Sequence, residues 1–204
     1  MKPLNHIPVY RLTLGALYIA LFALAGNVPF LSAIYIIPNV PLTLQTFIIA
    51  MMGLTLGLRS GMISYVSLLV LTFCGLPMMS GGRGGPAVFV GPTCGYIYGW
   101  IFVIVLLGLY SSFFIKRLIN KKVWGISIHV PISFLLGIVG ILLDYACGSL
   151  GLILSGAGKT ISAFPALLLS NIIAFLPGDT IKLLLASLLS LSLFAKPVQR
   201  RIFN

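Results

Sequence analysis

Charged residues are missing from positions 12–58, 60–82, 84–115 and 123–143, and these windows are filled mainly with apolar residues. A helix that crosses a bilayer needs about 20 mostly apolar residues. The pattern predicts spans at 11–27, 44–57, 61–75, 93–115, 128–148 and 179–195. A loop with Pro29, Pro38 and Pro41 but no charge follows the first span, and Leu58-Arg59-Ser60-Gly61 makes a tight link between the second and third. A Gly-rich loop over 80–92 precedes the fourth. A further apolar run, 161–176, is short and is closed by Pro177-Gly178, which reads as a helix stop.

Counting that run as a span would give seven and put the chain ends on opposite sides. Lys and Arg collect in cytoplasmic loops, which decides between the counts. With six spans and the N-terminus inside, Lys2, Arg11, Arg59, Lys116, Arg117, Lys121, Lys122, Lys196, Arg200 and Arg201 are cytoplasmic, and only Arg83 and Lys159 lie outside. Seven spans would send Lys196, Arg200 and Arg201 outward. The expected fold is therefore an all-α integral membrane protein with six transmembrane helices and both termini cytoplasmic. Residues 161–176 form a short non-spanning helix in the last outer loop, placed as a lid over an outward-facing pocket. The whole chain, 1–204, reads as one domain.

Composition agrees. Of 204 residues 59% are hydrophobic and 7% charged, against roughly one quarter charged in soluble domains. Glycine has no fixed period and no charged heptad appears, which excludes collagen and coiled coil. No small-residue cleavage site follows the first apolar stretch, so that stretch is expected to stay. The net charge of +11 sets thirteen Lys and Arg against two acids, Asp144 and Asp179. These cations sit in short clusters without interleaved aromatics, which points to membrane topology and not to nucleic acid. Cys74, Cys94 and Cys147 have no metal-ligand spacing and read as packing residues.

The residues that could carry chemistry are few. Asp179 and Lys182 stand three apart at the start of the expected last span, so their head groups share one helical face. Ionisable residues inside a membrane are costly and usually face a cavity, a partner or a substrate. A simple N-cap role for Asp179 is the alternative, but a lysine in the first turn opposes the helix dipole and needs a compensating anion. Asp144, late in the fifth span, is read as structural, paired with Lys159 or placed at the interface. His6 and His129 fall near expected cytoplasmic boundaries, as interfacial polar residues without metal partners.

Two apparent nucleotide motifs fail. Gly156-Ala-Gly158-Lys159-Thr160 is like the end of a phosphate-binding loop, yet Ile153 stands where the first glycine is required. Gly82-Arg-Gly84-Gly-Pro-Ala87 has no βαβ context. The Gly-rich loop is still informative, because glycine lets backbone approach a ligand closely and Arg83 could draw an anionic solute to a cavity mouth. In the first span, Ala16 and Ala20 are small residues four apart, suited to close helix contact within the protein or with a partner.

Three blocks together resemble the BioY family, the biotin-specific substrate-binding subunits of energy-coupling factor (ECF) vitamin transporters. They are Val40-Pro-Leu-Thr-Leu-Gln-Thr46, then Gly75-Leu-Pro-Met-Met-Ser-Gly-Gly-Arg-Gly-Gly85 with Gly91-Pro-Thr-Cys-Gly-Tyr96, and Pro177-Gly-Asp-Thr-Ile-Lys182. They occur in family order and spacing over nearly the whole chain, with one departure at Cys94, where the family commonly has glycine. The resemblance implies biotin uptake across the bacterial cytoplasmic membrane, with biotin bound near the outer face and no cofactor. It implies that Asp179 and Lys182 contact biotin most directly, helped by Thr43, Gln45, Arg83, Thr93 and Tyr96. Ala16 and Ala20 match the pattern with which such subunits meet the transmembrane coupling subunit, itself joined to ATPase subunits. Two other classes compete: a self-sufficient proton-coupled secondary transporter, and an intramembrane enzyme. The enzyme ranks last, since two acids on different helices with no histidine in the same half of the membrane make a poor constellation for a nucleophile, metal or carboxylate dyad.

Overall fold

The computed structural model describes residues 9–28, 34–37, 40–115, 124–156 and 160–195. Five helices carry the fold: α1 (Val9–Asn27), α2 (Gln45–Phe73), α3 (Cys94–Tyr110), α4 (Trp124–Leu154) and α5 (Phe164–Ala195). By length and composition alone α1, α4, α5, and α3 together with the turn that extends it, are each long and apolar enough to cross a membrane, as is the 29-residue run of α2 taken without its break. Single 3₁₀ turns occupy Pro86–Phe89 and Ile161–Ala163, and a π-helical turn, Ser111–Ile115, extends α3.

α2 is two helices in one. At Gly57 the backbone takes φ 74° and ψ 178°, a conformation open to glycine and strained for other residues. The chain doubles back there: a Cβ added at Gly61 would lie 3.4 Å from the Met52 carbonyl oxygen, whereas nine residues of straight helix span about 13 Å. The arms 45–56 and 58–73 are thus antiparallel, which matches the two expected segments and their tight link. The first arm rises only about 18 Å, so it is short of the hydrocarbon thickness. Ser112 Oγ accepts from the Leu58 N–H at 3.0 Å and Ser111 Oγ donates to the Leu54 carbonyl at 2.6 Å, holding the reversal against the end of α3. Gly57→Ala is expected to destabilise by about 1–3 kcal/mol, because a Cβ there adds backbone strain and would also lie 2.8 Å from Ser112 Oγ. A melting curve in detergent checks this.

Glycines also set the α3–α4 crossing, the most extensive helix contact in the fold. Gly95 and Gly99 face α4, and Gly140, Gly148 and Gly151 face α3. An added Cβ would lie 2.0 Å from the Cys147 carbonyl oxygen at Gly95, and 2.9 Å from the Val103 Cα at Gly140. Without water to drive helices together, close backbone approach supplies the packing. The core holds Phe22, Ile49, Met52, Leu68, Val103, Ile104, Leu107 and Ile141, all fully buried. Outward stand Leu12, Leu17, Leu24, Val66, Val70, Leu135, Ile173, Ile181 and Leu188, an apolar surface suited to acyl chains.

The structure departs from three expectations. The separate lid helix over 161–176 does not exist: α5 runs unbroken for 32 residues with Pro177 inside it. Pro177 removes one ladder bond, the one its absent N–H would give to Ile173, but Phe175 and Leu183 are buried on either side of it, and packing holds the helix through the break. Next, among the described residues a two-stranded antiparallel ribbon, β1 (Ile34–Ile37) with β2 (Val40–Leu42), stands where the sequence reads as loop. Its β-branched residues favour extended backbone. Finally, His129 is not interfacial. It is 3% exposed and stands between the Tyr110 hydroxyl and Ser190 Oγ, each 3.0 Å from a ring nitrogen. His6, Lys159 and the basic clusters at 116–122 and 196–201 lie outside the described residues.

Candidate functional site

At the end of the bundle opposite Gly57 lies a small, partly open cavity of about 60 Å³. Thr43, Gln45, Arg83, Thr93, Tyr96, Asp179 and Lys182, scattered over the chain, all line it. Ile97, Trp100, Tyr145 and Phe175 add apolar and aromatic wall.

Asp179 and Lys182 form a buried ion pair, Nζ to Oδ1 2.8 Å. The pair sits in the interior of α5, not at its start, so the capping alternative for Asp179 and the dipole argument for Lys182 both fall away. Every strong contact is charge-assisted: Tyr145 donates its hydroxyl to Asp179 Oδ2 at 2.6 Å, and Lys182 Nζ donates to the Thr43 carbonyl at 2.6 Å. Lys182 thereby ties α5 to the entry of α2.

Gln45 acts as a clamp on the surrounding loops. Its amide nitrogen donates to the Met78 carbonyl at 2.9 Å and the Phe22 carbonyl at 3.4 Å, and its oxygen accepts from Ser80 Oγ at 2.9 Å. Gly26 makes room, since a Cβ there would lie 2.7 Å from that amide nitrogen. The Gly-rich loop folds down on this clamp through Gly81 N–H, which donates to the Gly26 carbonyl at 2.9 Å, and Arg83 Nε donates to Ser80 O at 3.0 Å. Arg83 is otherwise exposed at the cavity rim. Tyr96 donates to Asn171 Oδ1 at 2.7 Å, and Asn171 in turn donates to Ser149 Oγ at 2.9 Å. The 161–176 segment therefore does border the cavity, as part of α5.

Sequence reasoning missed Asp144 as a cavity residue. It is 3% exposed and lines the same space as Asp179; Lys159, its expected partner, lies outside the described residues. The available signal was the rarity of acids: one of only two in the chain, inside an apolar window. Ala16 and Ala20 stand on the outer face of α1, both exposed, while Gly15 is the inward small residue, against Ser64.

The sequence model of the BioY family matches residues 1–198. The chain belongs to the BioY family. Among family members, the "Biotin transporter BioY" of Rhizobium etli is 38% identical over 179 residues, covering 87% of this chain and 89% of the relative. That of Rhodobacter capsulatus is 34% identical over 184 residues, covering 88% and 90%. Among solved structures, the fold is similar to the S-component for biotin from an ECF-type ABC transporter, with a TM-score of 0.78, 30% identity and 96% of each chain covered. The three blocks that carry the BioY resemblance contribute to one cavity wall, from Thr43 to Lys182.

Proposed function

We propose that this chain takes up biotin, binding it in the cavity as the substrate-binding subunit of an ECF-type transporter. The observation that carries the reading is the neutral Asp179–Lys182 couple, buried in a cavity with aromatic walls, in a chain whose relatives are named biotin transporters. Biotin has an apolar bicycle and valeryl chain for the Trp100, Tyr145 and Phe175 walls. Its ureido ring donates and accepts, and an ionised Asp only accepts while Lys only donates, so the couple is complementary to that ring. Arg83 at the rim is suited to the carboxylate, whose charge it matches.

In this reading the single domain, 1–204, keeps six segments in the bacterial cytoplasmic membrane, the two arms of α2 counted as the second and third and the first arm not reaching all the way across, with cytoplasmic termini and the cavity outward. Ala16 and Ala20 form the contact with a transmembrane coupling subunit, and ATPase subunits supply the energy. The self-sufficient proton-coupled alternative is disfavoured by the ECF S-component neighbour. Calorimetric titration of the detergent-purified chain should show one saturable biotin site. No heat and no retention of radiolabelled biotin would end the proposal.

A further inference from the structure

Not all of the hydrogen-bonding capacity left open in the cavity is at the ion pair. Each Asp179 oxygen already accepts one bond, from Lys182 and from Tyr145, and Lys182 has already placed two of its three N–H groups. Asp144 differs. Among the described residues its carboxyl has no hydrogen-bond partner, and its Oδ1 is a fully buried oxygen with none. An unmet acceptor of this kind costs free energy in an apolar surround unless a donor arrives.

The fold goes out of its way to seat this carboxyl. A Cβ added at Gly99 would lie 2.3 Å from Asp144 Oδ1 and 2.8 Å from its Cα, so the absence of a side chain on α3 makes the room. The next residue, Tyr145, fixes Asp179, which places the two carboxyl groups of the chain around one cavity. No Lys, Arg or His among the cavity-lining residues bonds to Asp144; Lys182 and Arg83 are engaged elsewhere.

We propose that Asp144 is a ligand-binding residue: its unmet oxygen is sealed against Gly99, and a rotation of the side chain brings it to the ligand, where it accepts a hydrogen bond from one ureido N–H of the bound vitamin. This rests on the biotin reading above. The two N–H groups of a cyclic urea diverge, so one carboxyl cannot serve both; Asp144 takes one, and the Asp179 side of the cavity meets the rest of the ring. Specificity follows, because a site built around a ligand N–H rejects analogues that lack it, their binding leaving the acceptor unmet.

The test uses the full chain in detergent, with biotin and two cyclic carbamate analogues, each carrying oxygen in place of one ureido N–H. The unmodified chain should bind one carbamate at least about tenfold more weakly than biotin. Asp144→Asn and Asp144→Ser should weaken biotin by about tenfold or more and should cut the penalty for that same carbamate to below about threefold, with a merely structural loss lowering all three ligands equally. Size-exclusion profile and melting temperature establish folding of each variant. A folded variant with biotin affinity within about twofold, or unaltered carbamate discrimination, overturns the proposal. Should neither variant fold, the unmodified chain still decides against it if both carbamates bind within about twofold of biotin. An unmodified chain that binds no biotin refutes the underlying reading instead, and the two failures are distinct.

Discussion

Replacing Lys182 by alanine is expected to weaken biotin binding by at least about 100-fold, the equivalent of about 3 kcal/mol. The substitution leaves Asp179 buried, 4% exposed, with no cation, and breaking one side of a buried pair commonly costs about 3–5 kcal/mol. It also cuts the bond to the Thr43 carbonyl that ties α5 to the entry of α2. Stability should fall with affinity. Asp179→Asn should weaken binding by a similar order, because a neutral amide holds Lys182 less strongly. The pair Asp179→Asn with Lys182→Met separates the two effects: with no unpaired charge left inside, the melting temperature should recover while binding does not. Titration and melting of all three variants check this. Wild-type affinity in both single variants would remove the pair from the site.

The second large effect lies away from the ligand. Gly95→Val should prevent recovery of folded protein, because a Cβ at that position would lie 2.0 Å from the Cys147 carbonyl oxygen and 2.7 Å from its carbon. Both are backbone atoms of α4, so no rotamer change relieves the contact and the helices must part. The α3–α4 seam carries Tyr96, Ile97 and Trp100 on one side and Asp144 and Tyr145 on the other, and separating it would open the cavity wall. Expression yield and a monodisperse elution profile report the outcome; a folded, biotin-binding Gly95→Val chain would mean that the seam is looser than it is built. Gly61→Ala, where the nearest atoms stand 3.4 Å away, is the control expected to be tolerated.

Much of this architecture was legible in advance because its signals are one-dimensional. Charge-free windows mark helices directly, and α1, both arms of α2 and α3 fall within a few residues of their expected limits. The seven residues expected at the site come from blocks of family resemblance, and all of them line the one cavity. What failed depends on the third dimension. Pro177-Gly178 reads as a stop when only the local backbone is considered, but Phe175 and Leu183 are packed in the interior and their burial outweighs one lost ladder bond. His129 seemed interfacial because its position along the chain sits near a boundary. Its partners, Tyr110 and Ser190, come from α3 and α5, and no spacing rule links them. The place of Asp144 at the cavity was missed for a similar reason, since the space that admits it is defined by Gly99 on another helix. Gln45 was placed correctly at the cavity, while its work as a clamp on Phe22, Met78 and Ser80 was invisible from the sequence.

The unbroken length of α5 has a consequence for depth. Its 32 residues measure about 48 Å, and even a steep tilt of about 40° projects about 37 Å onto the membrane normal. The hydrocarbon layer is about 30 Å thick, so at least about 7 Å must emerge. Thr160 and Ser162, exposed and bonded to each other, stand just ahead of the helix. Were the whole excess to emerge at that end, Asp179, about 22 Å of axis after Phe164, would stand about 5–10 Å beneath the headgroup boundary. A solute entering the cavity meets Arg83 at the rim before it reaches the buried pair.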